Sequence, residues 1–141
     1  VIKKYALEPT CIGIEITESG YLDSNTHLTQ LWSRLKDNGV YVLLDDFGTG
    51  YSNLHCLSDL KPNYIKIDRS FTLKALKNQY DYELMTDIID MAHSLGLKLC
   101  IEGVETSDDL RTLRKLGADY IQGYLFGKPY PALLFESRYV N

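Results

Sequence analysis

Two adjacent carboxylates, Asp45 and Asp46, end an apolar run and are followed by a Gly-Thr-Gly turn. The run, residues 40–44, carries β-branched and aromatic side chains without a turn former, which predicts a buried strand. Successive strand residues point to opposite faces, so the two acids do not form one structural ion pair. Carboxylates at a core strand end are costly to desolvate without a positive partner, and a divalent cation is the simplest one. The alternative is an acidic, solvated turn after the strand.

Polar side chains recur at the other predicted strand ends. They are Glu15 and Glu18, Lys66 and Asp68, Glu102 and Glu105, and Gln122. In a parallel barrel all of these ends emerge on one face, around one axis. The carboxylates would repel one another there, since like charges ~4 Å apart cost on the order of 4 kcal/mol at an effective dielectric constant of about 20. Mg²⁺ or Mn²⁺ would relieve this repulsion, because hard divalent cations take oxygen ligands.

This set of side chains predicts phosphoryl chemistry. Two cations ~3.5–4 Å apart suit an in-line attack of water on phosphorus. Lys66 can hold that water or neutralise charge on a phosphoryl oxygen, and a carboxylate that binds no metal can act as general base. One alternative is a plain α/β scaffold in which the same acids cap helices and form salt bridges. Another is a metal-dependent barrel enzyme in which Lys66 abstracts a proton beside a Mg²⁺-bound enolate.

The elements that must position these residues alternate along the chain. Apolar patterns predict five strands, within residues 11–17, 40–44, 64–68, 97–101 and 119–126, with helices over residues 26–38, 54–60, 80–95 and 110–116 between them. This alternation indicates parallel strands joined by right-handed helical crossovers. An open doubly wound sheet and an arc of a (β/α)₈ barrel both satisfy the order. The TIM-like barrel is favoured, because polar residues recur at most strand ends and no Gly-x-Gly-x-x-Gly follows the first strand.

The patterns also predict local details. The longest helix is expected to bury one stripe, formed by Leu84, Ile88, Met91, Ala92 and Leu95. Residues 106–109 have the composition of a helix N-cap, which predicts where the last of these helices begins. The tail after Pro129 is only weakly patterned.

The length of the chain indicates a single domain over residues 1–141, which is long enough to bury a sizeable core. Hydrophobic residues make up 45% of the chain and charged residues 24%, which disfavours disorder. A net charge of −4 without a basic block argues against nucleic-acid and membrane partners. A phosphorylated substrate would therefore be met by metal. The three cysteines are widely spaced without a CxxC pair, which predicts reduced thiols and a cytoplasmic location.

Five motifs stand at the predicted strand ends across residues 11–131. They are Glu15-Ile-Thr-Glu18-Ser, Asp45-Asp-Phe-Gly-Thr-Gly-Tyr-Ser52, Lys66-Ile-Asp-Arg-Ser-Phe71, Glu102-Gly-Val-Glu-Thr106 and Gln122-Gly-Tyr-Leu-Phe126. In order and spacing they resemble the EAL family of cyclic di-GMP phosphodiesterases. The resemblance implies a TIM-like barrel that hydrolyses cyclic di-GMP to linear pGpG with two Mg²⁺ or Mn²⁺ ions.

The same resemblance implies roles for the matching residues. Glu15 and Asp45 would bind metal, and Asp46 would bind the second metal ion. Lys66 would contact the catalytic water, and Glu102 would be the general base. The positions that would support the site or contact the substrate are Glu18, Asp68, Glu105 and Gln122. Among them, the glutamate at position 18 would brace the loop of residues 46–52, which in the family couples metal and substrate binding to dimerisation.

One departure from the family pattern is large. The family begins with about three more strands, which carry the Glu-Ala-Leu signature and an Asn, both metal ligands, and this sequence contains neither. We therefore interpret the chain as the carboxyl-terminal part of an EAL domain, with strands four to eight of the barrel. We expect it to bind metal weakly and to be inactive or nearly so.

Partners follow from the same interpretation. Open sheet edges and the loop of residues 46–52 predict a homodimer or other self-association. A sensory or GGDEF domain is expected upstream. The main functional alternative is a non-catalytic module that binds cyclic di-GMP or mediates dimerisation.

Overall fold

The computed structural model describes residues 2–22, 26–49 and 54–140. Within them, the strands are β1 (Gly13–Thr17), β2 (Tyr41–Phe47), β3 (Tyr64–Ile67), β4 (Lys98–Ile101) and β5 (Tyr120–Ile121). The α-helices are α1 (Ile2–Tyr5), α2 (Glu18–Leu22), α3 (Thr26–Asp37), α4 (Leu54–Leu60), α5 (Arg69–Ala75), α6 (Gln79–Ser94), α7 (Ser107–Leu113) and α8 (Ala132–Tyr139). Short 3₁₀ turns at Pro9–Cys11 and Arg114–Leu116 precede β1 and follow α7.

The five strands form one parallel sheet, and their order in the sheet is their order in the chain. Each strand is therefore added to the edge left by the preceding one. A doubly wound sheet would reverse direction at a switch point, and the described strands do not reverse. The prediction of five parallel strands with helical crossovers is confirmed, and the winding is that of an arc of a barrel.

The two faces of the sheet have different partners. One face is covered by helices and forms the core with Ile16, Val42, Leu44, Ile65, Ile67, Leu99 and Ile101. The alternate residues of the same strands, Glu15, Leu43, Tyr64, Lys66 and Cys100, line an open cavity of about 630 Å³. Because side chains alternate along each strand, one face packs the core and the other holds polar groups in the cavity.

Strand β2 continues past its apolar run and includes both aspartates. Its pairing with β3 shifts in register between Leu44 and Phe47, which marks a β-bulge. Asp46 lies within the bulge with φ of 59°, a left-handed conformation that aspartate tolerates better than most residues. The apolar pattern predicts that the strand ends before the aspartates. The bulge depends on pairing with the neighbouring strand, so the sequence of β2 alone shows no periodicity that would reveal it.

Helix α6 begins and ends within one residue of its predicted bounds, but its predicted stripe is partly wrong. The buried residues are Met85, Ile89 and Ala92. Leu84 and Leu95 are 40% and 58% exposed. Apolar residues occupy both positions at 84–85 and at 88–89, so the sequence allows two neighbouring stripes. Packing of α6 against β4 selects between them.

Other elements differ from the expected ones in extent. Strand β5 covers only Tyr120–Ile121, because residues 122–126 turn back and bond to the β4–α7 connection instead of to a strand. Helix α5 was not predicted, and Asp68 caps it by accepting a hydrogen bond from Ser70 N at 2.8 Å. The predicted N-cap of α7 is confirmed, since Thr106 and Asp109 form a reciprocal capping box. None of the described helices has the length and apolar character needed to cross a membrane.

Two alanine substitutions in α6 test which stripe carries the packing. We expect Ile89→Ala, which removes a side chain only 1% exposed, to lower the free energy of unfolding by about 2–5 kcal/mol. Leu84→Ala, at 40% exposure, is expected to cost less than about 1 kcal/mol. Urea unfolding followed by circular dichroism measures both. Equal losses would contradict the packing of this helix.

Candidate functional site

Lys66 is the centre of the site. Its Nζ lies 2.7 Å from Glu102 Oε1, 2.9 Å from Glu15 Oε2 and 3.2 Å from Asp45 Oδ1. The lysine side chain is only 7% exposed, whereas those of Asp45 and Glu102 are 19% and 18% exposed. Three carboxylates, from β1, β2 and the residue that follows β4, therefore share one buried ammonium group.

The parallel register of the sheet brings these four residues together. Glu15 in β1 pairs with Leu43, two residues before Asp45 in β2. Lys66 in β3 pairs with Cys100, two residues before Glu102, which directly follows β4. The backbone N of Glu102 donates to Ile67 O at 3.1 Å and holds the first residue of the connection against the sheet. Neighbouring strands that end at the same level thus place these side chains around one point.

The carboxylates of the cluster hold Lys66 in its ionised state. Burial alone would lower the pKa of Lys66, but hydrogen bonds and charge interactions with Glu102, Glu15 and Asp45 outweigh it, so the pKa lies above its ordinary value. The lysine is therefore protonated throughout the physiological range. It does not act as a proton-abstracting base while this cluster is intact, which argues against the enolate-forming alternative.

Asp46 lies beside the cluster without joining its ion pairs among the described residues. Its backbone N donates to Asp45 Oδ1 at 3.0 Å, and its carbonyl accepts from Thr49 Oγ1 at 3.1 Å. Burial, followed by the charges of Asp45 and Asp68, raises the pKa of Asp46. A cation placed next to Asp46 would reverse this tendency, so its side chain is suited to a second positive charge.

Two of the predicted supporting residues line a second cavity, of about 540 Å³. Glu105 and Gln122 line it, together with Glu102 and Arg69. Gln122 N donates to Ile101 O at 2.8 Å, and Gln122 O accepts from Val104 N at 3.2 Å. The side chain of Asp68 caps α5 by accepting a hydrogen bond from Ser70 N. It therefore positions the start of that helix, which begins at Arg69.

Arg69 was missed as a site residue by the sequence reasoning. Its Nε and one terminal nitrogen reach Glu105 Oε1 at 3.1 and 2.7 Å. Its aliphatic stem covers Gly103, where an added Cβ would lie 2.2 Å from Arg69 Cγ. The only sequence signal was its place directly after Asp68. The arginine therefore fixes both the path and the last carboxylate of the Glu102–Glu105 connection.

The last predicted residue, Glu18, is the first residue of α2 and is 4% exposed. It lies at the carboxyl end of β1, as expected. The loop of residues 46–52 that it would brace is described only as far as Thr49, and residues 50–52 lie outside the described part of the chain.

The cysteine next to Lys66 is not a nucleophile. All three cysteines, which lie in the described part of the chain, are free thiols. Cys100 lines the larger cavity, and burial, reinforced by the charge of Glu102, raises the pKa of its thiol to about 11. The thiol is therefore neutral at pH 7 and unsuited to attack on phosphorus.

The donor atoms of the cluster and of the neighbouring Asp46 fit a hard divalent cation. Glu15, Asp45 and Asp46 offer carboxylate oxygens, which Mg²⁺ and Mn²⁺ prefer over nitrogen or sulfur. Within the described residues, however, no group of three or more acidic, histidine or cysteine side chains is arranged to hold a metal ion by itself. The carboxylates converge on the ammonium group of Lys66 instead. The chain thus supplies ligands of the right kind in an arrangement centred on its own cation.

The family model of the EAL domain matches residues 1–129. The chain belongs to the EAL domain family. It is 38% identical over 135 residues to the cyclic di-GMP phosphodiesterase NbdA of Pseudomonas aeruginosa, a match that covers 96% of this chain and 17% of NbdA. The chain thus spans about a sixth of the length of this curated relative.

Solved structures of the family share the fold. The EAL enzyme Bd1971, in a form bound to cAMP and cyclic di-GMP, superposes with a TM-score of 0.89 at 32% identity, over 96% of this chain and 36% of Bd1971. A complex of Klebsiella pneumoniae BlrP1 with manganese and cyclic di-GMP gives a TM-score of 0.83 at 27% identity, over 91% of this chain and 33% of BlrP1. EAL domains are TIM-barrel-like, so the five parallel strands are confirmed as part of such a fold.

Proposed function

We propose that this chain carries strands four to eight of an EAL barrel and, in the completed barrel, hydrolyses cyclic di-GMP to linear pGpG. The observation that carries the proposal is the convergence of Glu15, Asp45 and Glu102 on Lys66 at the carboxyl ends of adjacent strands. Active sites of parallel barrels form at these strand ends. The names of the relatives point to the same substrate.

Each residue of the cluster has a separate task in this proposal. Glu102 accepts the proton of the attacking water, since its carboxylate is 18% exposed and faces the cavity. Lys66 holds that carboxylate in place through a contact of 2.7 Å and donates a hydrogen bond to the water or to a phosphoryl oxygen. Arg69 orients Glu105 at the rim, where a guanine or ribose group of the substrate would lie.

Glu15, Asp45 and Asp46 would hold two Mg²⁺ or Mn²⁺ ions, together with ligands from the rest of the barrel. When bound, such ions lower the pKa of water and offset negative charge on the phosphoryl group. The metal complex of BlrP1 supports divalent cations as cofactors, and the carboxylate ligands agree with this choice.

The remaining partners belong to the same proposal. The two open edges of the sheet, β1 and β5, favour self-association, because unpaired strand edges bind further strands. A homodimer through the loop of residues 46–52 and a sensory or GGDEF domain upstream complete the proposed protein. A cytoplasmic location agrees with its free thiols.

Exchanging the matching segment of NbdA for this chain tests the proposed function. We expect the folded hybrid to convert cyclic di-GMP to linear dinucleotide in the presence of Mn²⁺, because the exchange supplies strands that the chain does not contain. Chromatographic detection of pGpG measures the product. A hybrid that is folded and binds cyclic di-GMP but releases no product would contradict the catalytic role of this chain.

The isolated chain distinguishes the second candidate function, a cyclic di-GMP-binding module without catalysis. Because its described residues hold no complete metal site, we expect little or no turnover from it. Calorimetric titration with cyclic di-GMP, with Mg²⁺ and with a chelator, separates the two functions. Binding that is equally tight in chelator would favour the sensor, whereas binding that requires the metal would favour the phosphodiesterase.

A further inference from the structure

Lys66 is a buried lysine with three acidic partners. Its Nζ lies within 3.2 Å of oxygens from Glu15 in β1, Asp45 in β2 and Glu102 directly after β4. Three carboxylates in contact with one ammonium leave a net negative charge. Without a cation, Asp45 and Glu102, whose side chains are only 19% and 18% exposed, would bear the cost of burial, and all three carboxylates would repel one another.

We propose that Lys66 is the internal cation of the metal-free site: its ammonium group holds the carboxylates together until a divalent ion replaces it between them. This inference rests on the proposed function, since it assumes that these carboxylates serve a metal site. It assigns Lys66 a positioning role that precedes the reaction, in addition to any contact with water or substrate.

Charge and geometry explain why the ammonium of Lys66 and a divalent ion would exclude each other between these carboxylates. One oxygen of each carboxylate that would ligate a divalent ion, Glu15 Oε2 and Asp45 Oδ1, already contacts the ammonium. A metal ion that binds them must displace Lys66 or draw the carboxylates away from it, and the two positive charges repel. The lysine thus lowers metal affinity while its contacts keep the three carboxylates aligned.

Lys66→Met tests this role, since methionine keeps an unbranched stem and removes the charge. In chelator we expect the melting temperature of the 141-residue chain to fall by roughly 10 °C, because three carboxylates lose their partner. Mn²⁺ should restore more than half of this loss while shifting the wild-type chain far less. Manganese titration followed by electron paramagnetic resonance should show about tenfold or tighter binding to the variant, since the competing charge is absent.

Two further variants distinguish the loss of the lysine charge from a loss of side-chain packing. Lys98→Met is the matched control, because Lys98 lies on the same sheet in β4, where its Nζ contacts Tyr120 OH instead of a carboxylate. It should leave the response to Mn²⁺ unchanged. The double variant Lys66→Met/Glu102→Gln should melt higher in chelator than Lys66→Met alone, because one uncompensated charge is removed. A loss of packing would not be rescued in this way.

The outcomes separate the inference from the proposed function. If Mn²⁺ stabilises the wild-type chain and Lys66→Met equally, with equal affinity, the metal site stands and the inference is overturned. If Mn²⁺ binds to neither the wild-type protein nor Lys66→Met and shifts no melting temperature, in the isolated chain and in the NbdA hybrid alike, the metal site of the proposed function fails, and the inference fails with it. Should Lys66→Met and the double variant both be unfolded with and without Mn²⁺, the lysine serves packing and the inference is also overturned.

Discussion

Glu102→Gln in the NbdA hybrid is expected to lower the turnover of cyclic di-GMP by about a hundredfold to ten-thousandfold. The amide has the size of the carboxylate but cannot accept a proton from water at neutral pH. Glu102 is the only described carboxylate that both contacts Lys66 and lines the cavity shared by Gln122 and Glu105. The loss should fall on kcat, since KM depends on contacts that the substitution leaves in place.

Glu83→Gln is the matched control for this prediction. Glu83 is an exposed residue of α6 whose carboxylate accepts a hydrogen bond from Gln79 on the same helix. Its substitution should leave turnover unchanged. Steady-state rates of pGpG formation measure both variants. If Glu102→Gln retains wild-type turnover, another group must accept the proton, and the assignment of the general base is wrong.

Gly123→Ala is expected to destabilise the chain by about 3 kcal/mol, because a methyl group has no room at this position. An added Cβ would lie 2.0 Å from Val104 O and 2.4 Å from Val104 N, and both are backbone atoms. Those atoms also bond to the neighbours of Gly123, with Val104 N donating to Gln122 O and Leu125 N donating to Val104 O. The connection that carries Glu102 and Glu105 must therefore move away from Gln122.

Gly117→Ala separates this steric effect from backbone strain. Gly117 has φ of 80° but nothing within 4 Å of an added Cβ, so its substitution should cost only about 1 kcal/mol. Guanidinium unfolding of the two variants gives both values. Equal costs would mean that the close approach between Gly123 and Val104 does not hold the two strand ends together.

Much of the sheet was predictable because its periodic signals are local. Alternating apolar patterns and helix caps predict the number, order and parallel pairing of the strands. Parallel pairing then predicts that the polar side chains of neighbouring strands meet. The contacts of Lys66 with Glu15, Asp45 and Glu102 show that they do. The roles of these residues remain proposals.

The features that sequence could not predict depend on neighbouring elements. The bulge at Asp46 follows from the register between β2 and β3, and the choice of Ile89 over Ile88 follows from the packing of α6. Arg69 reaches Glu105 across a gap of 36 residues, and only the fold shows that the two side chains meet. Local patterns contain no information on such contacts.

A crystal of the NbdA hybrid soaked with Mn²⁺ and measured for anomalous scattering tests the proposed cation site most directly. The predicted result is an anomalous peak bordered by the carboxylates of Glu15 and Asp45, with the ammonium of Lys66 shifted away from them. A well-ordered site without such a peak, with Lys66 still bound to all three carboxylates at saturating Mn²⁺, would contradict it.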